Sequence, residues 1–509
     1  MVWPPLTTML SGTTPLWIVG CFGTPRPPQP AAARVAMRRN RGFTASFYGT
    51  SDRFGLYHTH MRARLGVICS LLAMVNAAQS QTAADLTQEG HFVEALAACE
   101  AALKKNPSDF SSQLLEARLL VRMNHLKRAE AVLNSLADNS AATADQKKQI
   151  HNLLGETYYR QDRFKDSAIH FRQADKVPKA TQLEDFANVK PNEISPNKTT
   201  ADVKFDVTDP LPVLELTANG LKGRFIVDTG ASEVVLDPEF AAKVGVKALS
   251  SQTGTFAGGK TASEASGRLD SLQMDTITVR NVPVHILNTK NFSPQQFGGN
   301  VDGIIGTILF YHFTTTIDYP NHQLVFAPRG KVRVDKDDVA LPFWLMSDHL
   351  MVTWGKLGDS SDRLFLIDTG LAGAAFTGPK SITDEAGIKV SMENAQMGEG
   401  GAGKVQMSPY KIPMLSLGPV VEKDLDGVYG AFPDVFENSL GFHLCGIISH
   451  QFFRPYAVTF DFEKMQVILR KAQPVTKLSE QDVVFLTERD MPPSNLSLWF
   501  LLRNLTFPS

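Results

Sequence analysis

The chain has 509 residues, 43% apolar and 20% charged, with a formal net charge of −1. That length exceeds what one hydrophobic core organises and predicts roughly two to four domains of ordinary globular composition. The near-neutral charge gives no ground for nucleic acid or an anionic membrane as main partner. The four cysteines, Cys21, Cys69, Cys99 and Cys445, have neither metal-ligand spacing nor the density of a disulfide framework.

Residues 1–60 are rich in Pro and Arg and show no periodicity, which predicts a disordered leader or an overextended reading frame that truly starts at Met61. Met61-Arg62-Ala63-Arg64, the apolar run from Leu65 to Val75 and the small residues Ala77, Ala78 and Ser80 give 61–80 the pattern of a secretory signal. The apolar run is too short to span a bilayer, so an exported protein (periplasmic or secreted) is expected, with no membrane span once the signal is removed. From 84 to 180 the periodicity turns helical. The segment Gly90-His91-Phe92-Val93-Glu94-Ala95 is followed 34 positions later by Asn124-His125-Leu126-Lys127-Arg128-Ala129 (129 − 95), and a third unit runs from Leu154 to Ala174. This spacing, with small Ala95, Ala129 and Gly155 at helix crossings, resembles tetratricopeptide repeats, which hold protein segments or space neighbouring domains. Pro191, Pro196 and a polar surrounding predict an extended linker over 181–209.

Alternation then begins. Val213 to Leu216, the turn Asn219-Gly220 and the returning Phe225-Ile226-Val227 predict a hairpin that delivers Asp228-Thr229-Gly230 to a loop. The same motif returns as Phe365-Leu366-Ile367-Asp368-Thr369-Gly370. Downstream, Asp302-Gly303-Ile304-Ile305-Gly306 is answered by Cys445-Gly446-Ile447-Ile448-Ser449. Thr316-Ile317-Asp318-Tyr319 is answered by Thr459-Phe460-Asp461-Phe462 at an offset of 143 (459 − 316). The chain therefore contains a duplicated β-rich unit, expected over 210–330 and 331–472, with a tail at 473–509 that matches neither copy.

Over about 206–472 this pattern resembles an aspartic peptidase built from two retropepsin-like lobes. The resemblance implies a multidomain chain, with an α-helical repeat domain followed by an all-β peptidase fold of two duplicated lobes. It implies Asp228 and Asp368 as the catalytic pair, Thr229 and Thr369 hydrogen-bonding across a pseudo-twofold axis, and Gly230 and Gly370 leaving room for water and substrate. Two carboxylates that close cannot both stay ionised, so together they can deprotonate and aim one water at an amide without metal or organic cofactor. The substrate is then an extended polypeptide. Two glycine-rich hairpin tips, Phe256-Ala257-Gly258-Gly259 and Gly400-Gly401, suit flaps that pair with such a substrate, although the second also reads as an ordinary surface hairpin.

The second unit departs from the pattern. Leu371-Ala372 replaces Ala231-Ser232, and Ser449 stands where the first unit has Gly306. Both changes read as loosening the second aspartate. Three readings follow: an asymmetric active peptidase, a catalytically impaired peptide-binding scaffold, or pairing of first lobes between two molecules. Neither the histidines nor Ser232 has the spacing of a metal site or a nucleophilic triad. Trp344 and Trp354 are expected at the lobe junction.

Overall fold

The computed structural model describes residues 81–471, apart from 197, 291, 293, 295, 348, 394, 434, 435 and 437–439, together with a two-residue strand at Leu16–Trp17. The expected leader (those two residues aside), signal and tail lie outside the described residues. Helical structure comes first. Seven helices, from Ala83–Glu89 to Val177–Glu184, pack as consecutive antiparallel hairpins. Their starts are written locally: Thr82 Oγ1 accepts from Asp85 N at 3.1 Å while Asp85 Oδ2 accepts from Thr82 N at 3.0 Å, satisfying amides that the first turn leaves without partners. Thr143 and Gln146 repeat the device at the helix Ala144–Tyr159. The small residues work as their spacing implied. A Cβ on Gly155 would stand 2.6 Å from the Phe171 ring, so this helix crossing tolerates no side chain there.

The segment expected as an extended linker, 181–209, is a correction. It contains the end of the helix Val177–Glu184, the strand Glu193–Ser195 and the strand Ala201–Val207. Pro178 opens that helix, since its fixed φ and missing N–H fit the first turn. Ala201 and Val203 are buried, and the strand pairs antiparallel with Gln323–Ala327. Pro and Asn marked loops between these elements, and the alternation of Ala201 to Phe205 is that of a strand.

The two β units share one plan. In the first, the antiparallel hairpin Val213–Ala218 and Leu221–Val227 sets Phe225, Ile226 and Val227 parallel to Gly303–Ile305. In the second, Leu350–Leu357 pairs with Arg363–Ile367, which runs parallel to Leu444–Ile448. Both parallel pairs are buried, as a strand covered on both faces must be. The units join through the antiparallel strands Thr314–Asp318 and Tyr456–Asp461, where Thr316 faces Thr459 and their hydroxyls lie 2.7 Å apart. A residue that pairs in register with its own duplicate marks a local twofold axis.

The helices pack on both units. Phe92 meets Trp344 and Phe442 at ring-centroid distances of 5.4 and 5.5 Å, and His91 stacks on Trp354 at 5.0 Å. The two tryptophans thus contact the helical repeats rather than the junction between units. Among the described residues no helix is long and apolar enough to cross a membrane.

Candidate active site

Each aspartate sits just past the end of a buried strand. Asp228 N donates to Ile305 O at 3.1 Å, and Asp368 N donates to Ile448 O at 3.1 Å, so the same parallel neighbour fixes both loops. The loops then turn tightly. Gly230 N donates to Asp228 Oδ1 and Gly370 N to Asp368 Oδ1, each at 2.8 Å. Thr229 N donates to Thr369 Oγ1 at 3.1 Å, and Thr369 N donates to Thr229 Oγ1 at 3.0 Å. Each hydroxyl also donates across the axis, Thr229 to Ile367 O at 3.2 Å and Thr369 to Val227 O at 3.4 Å. Four reciprocal bonds therefore lock the two loops to one another.

The carboxylates consequently face each other over the glycines. A Cβ on Gly230 would lie 2.4 Å from Asp368 Cγ, and one on Gly370 would lie 2.3 Å from Asp228 Cγ. No other residue type fits at either position. Both aspartates are 0% exposed, and among the described residues no donor apart from the opposing carboxyl serves their Oδ2 atoms. Burial, and then the charge of Asp368, hold the Asp228 carboxyl well above the ordinary carboxylate range. Burial also pushes Asp368 up, to about 6, against the opposing effects of the Gly370 N–H, Asp228 and the nearby His349. Both shifts favour a proton retained on the pair, which titrates as a unit.

Two comparisons bear on this geometry. Residues 214–308 match the family model for aspartyl proteases. That match makes this segment, and not the whole chain, similar to the aspartyl protease family. Residues 86–155 match a tetratricopeptide repeat model. One similar solved structure is a retropepsin-like aspartic protease from Rickettsia conorii, at 20% identity over 26% of this chain and 90% of that chain, with a TM-score of 0.18. No curated protein matches the chain.

The glycine-rich tips meet each other in front of the two aspartate loops. Gly258 and Gly259 lie between the strands Ser250–Phe256 and Thr261–Met274, and Gly400 and Gly401 between Gln396–Gly400 and Gly403–Leu417. Gly258 N donates to Ala431 O at 2.8 Å, and a Cβ on Gly401 would stand 2.4 Å from the Phe256 ring. The alternative of an ordinary surface hairpin at Gly400-Gly401 is therefore corrected, because this tip packs on the opposite unit. Phe256 is buried in one cluster with Ala231 and Ala372, the residues that follow the two Asp-Thr-Gly turns. The first tip thus packs among the residues that follow both aspartate turns.

Ser449 also departs from the expectation of a loosened loop. At the matching Gly306, a Cβ would stand 2.5–2.7 Å from the carbonyl oxygens of Ala231, Ser232 and Glu233. In the second unit there is room, and Ser449 Oγ accepts from Leu371 N at 3.1 Å. The hydroxyl fastens the loop. Two further groups escaped the sequence reading: His349, buried in the turn before Leu350–Leu357, and Glu233, five residues past Asp228. Neither belongs to a motif, and only the folded chain brings them near the site.

Proposed function

We propose that this protein is an aspartic endopeptidase in which Asp228 and Asp368 of one chain activate a single water. The observation that carries this reading is the reciprocal Thr229–Thr369 locking of the two aspartate loops. It supports a dyad formed within one molecule over pairing of first lobes between two.

The Oδ2 atoms are the groups left to hold the water. With one proton on the pair, the ionised carboxylate takes a proton from the water as its oxygen attacks the amide carbon. The protonated carboxyl gives its proton to the carbonyl oxygen, forming a tetrahedral diol. The newly protonated carboxyl then gives its proton to the amide nitrogen while the other carboxylate takes one from a diol hydroxyl, so the C–N bond breaks to acid and amine and the pair again carries one proton. The hairpins around Phe256-Gly258-Gly259 and Gly400-Gly401 open to admit an extended polypeptide and pair with its backbone, so that water is excluded while the bond breaks.

Cleavage of casein or a peptide library by the mature chain, blocked by a statine-type transition-state analogue, tests this proposal. Peptide binding without cleavage would instead identify a scaffold. Export belongs to the same proposal and rests on the pattern of 61–80: a mature N-terminus near Gln79–Thr82 supports it, and one at Met1 refutes it.

A further inference from the structure

The loop carrying Asp228 has a support that the loop carrying Asp368 lacks. Glu233 is 1% exposed, yet it carries a full complement of partners. Its Oε1 accepts from Tyr159 Oη, at the end of the helix Ala144–Tyr159, and from Lys179 Nζ in the helix Val177–Glu184. Its Oε2 accepts from Gln182 Nε2 at 2.7 Å, with His285 Nε2 3.5 Å away. Three of these four partners lie on the N-terminal helices, Tyr159 on Ala144–Tyr159 and Lys179 and Gln182 on Val177–Glu184. Gln182 extends the tie by donating to Val284 O at 3.2 Å. Burial by itself would raise the Glu233 carboxyl, but Lys179 and then His285 hold it below the usual range.

The duplication supplies an internal comparison. At the offset of 140 that relates Asp228 to Asp368, the counterpart of Glu233 is Gly373, which has no side chain to anchor. That second loop is fastened inside its own unit by Ser449. On the first side the helices also press from behind. Ile308 N donates to Ser232 O at 2.8 Å, and the Ile308 side chain packs among Tyr159, Phe164, Phe171 and Leu183. A buried ion pair is a poor source of net stability but a specific fastener, because removing either charge strands the other.

We propose that Glu233 is a positioning residue for Asp228, through which the N-terminal helices hold the first catalytic loop in register with the second. The protein segment these helices bind first is thus the peptidase of their own chain. This rests on the peptidase reading for its kinetic consequences, though not for its structural ones.

The test uses the full chain with Glu233→Gln, Tyr159→Phe, and Arg172→Ala as a control that breaks an exposed ion pair to Glu184 on the same helices. Steady-state kinetics and amide hydrogen exchange over 225–235 are measured for each. The expected result is a kcat lower by about tenfold or more in Glu233→Gln with KM within about twofold, a smaller fall in Tyr159→Phe, and faster exchange over 228–233 in both. Arg172→Ala should match the parent. Should Glu233→Gln fail to fold, Tyr159→Phe decides, since it removes one hydroxyl only. A kcat within about twofold of the parent in both variants, or exchange over 228–233 that is unchanged, overturns the proposal. A parent that cleaves nothing sinks the peptidase reading instead, and exchange over 228–233 then judges the anchor alone.

Discussion

Replacing Thr369 by Val keeps the volume of the side chain and deletes only its hydroxyl. The buried Thr229 N–H, now 3.1 Å from Thr369 Oγ1, loses its acceptor, and Val227 O loses a donor at 3.4 Å. A buried amide left without a partner costs about 1–3 kcal/mol, and the longer bond to Val227 O adds about 0.5 kcal/mol. The penalty, about 2 kcal/mol, falls on the join between the two loops, so part of it appears as misplacement of the dyad. A displacement of about 1 Å at a reacting group can cost on the order of 10²-fold in rate. Thr369→Val is therefore expected to lower kcat by roughly 10- to 100-fold while KM changes little. The matching Thr229→Val removes an acceptor for Thr369 N and a donor to Ile367 O, and should behave alike. Because the four bonds act as one unit, the double variant should cost less than the two single effects combined. Initial rates on a fluorogenic peptide, with a thermal melt of each variant, measure all three. A Thr369→Val enzyme with kcat within about twofold of the parent refutes the argument that the threonine lock aligns the dyad.

Further outcomes follow from the same geometry. Gly370→Ala should abolish cleavage, because the added methyl would collide with Asp228 Cγ, and a circular dichroism melt distinguishes this from unfolding. Ser449→Ala leaves the buried Leu371 N–H without its acceptor and should cost about 1–3 kcal/mol in denaturant unfolding, whereas a loosening serine would give no loss. His349 lowers Asp368, so His349→Gln should move the acid limb of the kcat/KM profile to higher pH; an unmoved limb rejects that influence. Both aspartates have raised folded-state pKa values, so the stability they contribute is present below the ordinary carboxylate pKa and is lost as pH rises through about 6 and beyond. Asp368→Asn should accordingly melt at a higher temperature than the parent at pH 7.5 and gain little at pH 4, and equal gains at both would contradict the shift.

Much of the site was legible because duplication printed it twice. Asp228 and Asp368, with their threonines and glycines, stand behind matching apolar runs, and the 143-residue offset put Thr316 opposite Thr459. What stayed hidden depends on distance in sequence. Glu233 reads as one more charged residue until the helices 51 and 54 positions earlier surround it with Gln182 and Lys179. His349 had no motif to mark it. Ser449 was misjudged because the absence of a glycine was visible, while the Leu371 amide it captures was not. The segment 181–209 was misjudged because proline and asparagine outweighed a short alternation in a polar stretch. The contact of the helical repeats with both β units is likewise a property of packed surfaces, such as Phe92 on Trp344, that no single periodicity encodes.

The central claim, one dyad made within one chain, is tested most directly by the specific activities of Asp228→Asn and Asp368→Asn across a wide range of enzyme concentration. Both variants should be inactive, mixing them should restore nothing, and parental specific activity should be independent of concentration. An active Asp368→Asn whose specific activity climbs with concentration would contradict the claim.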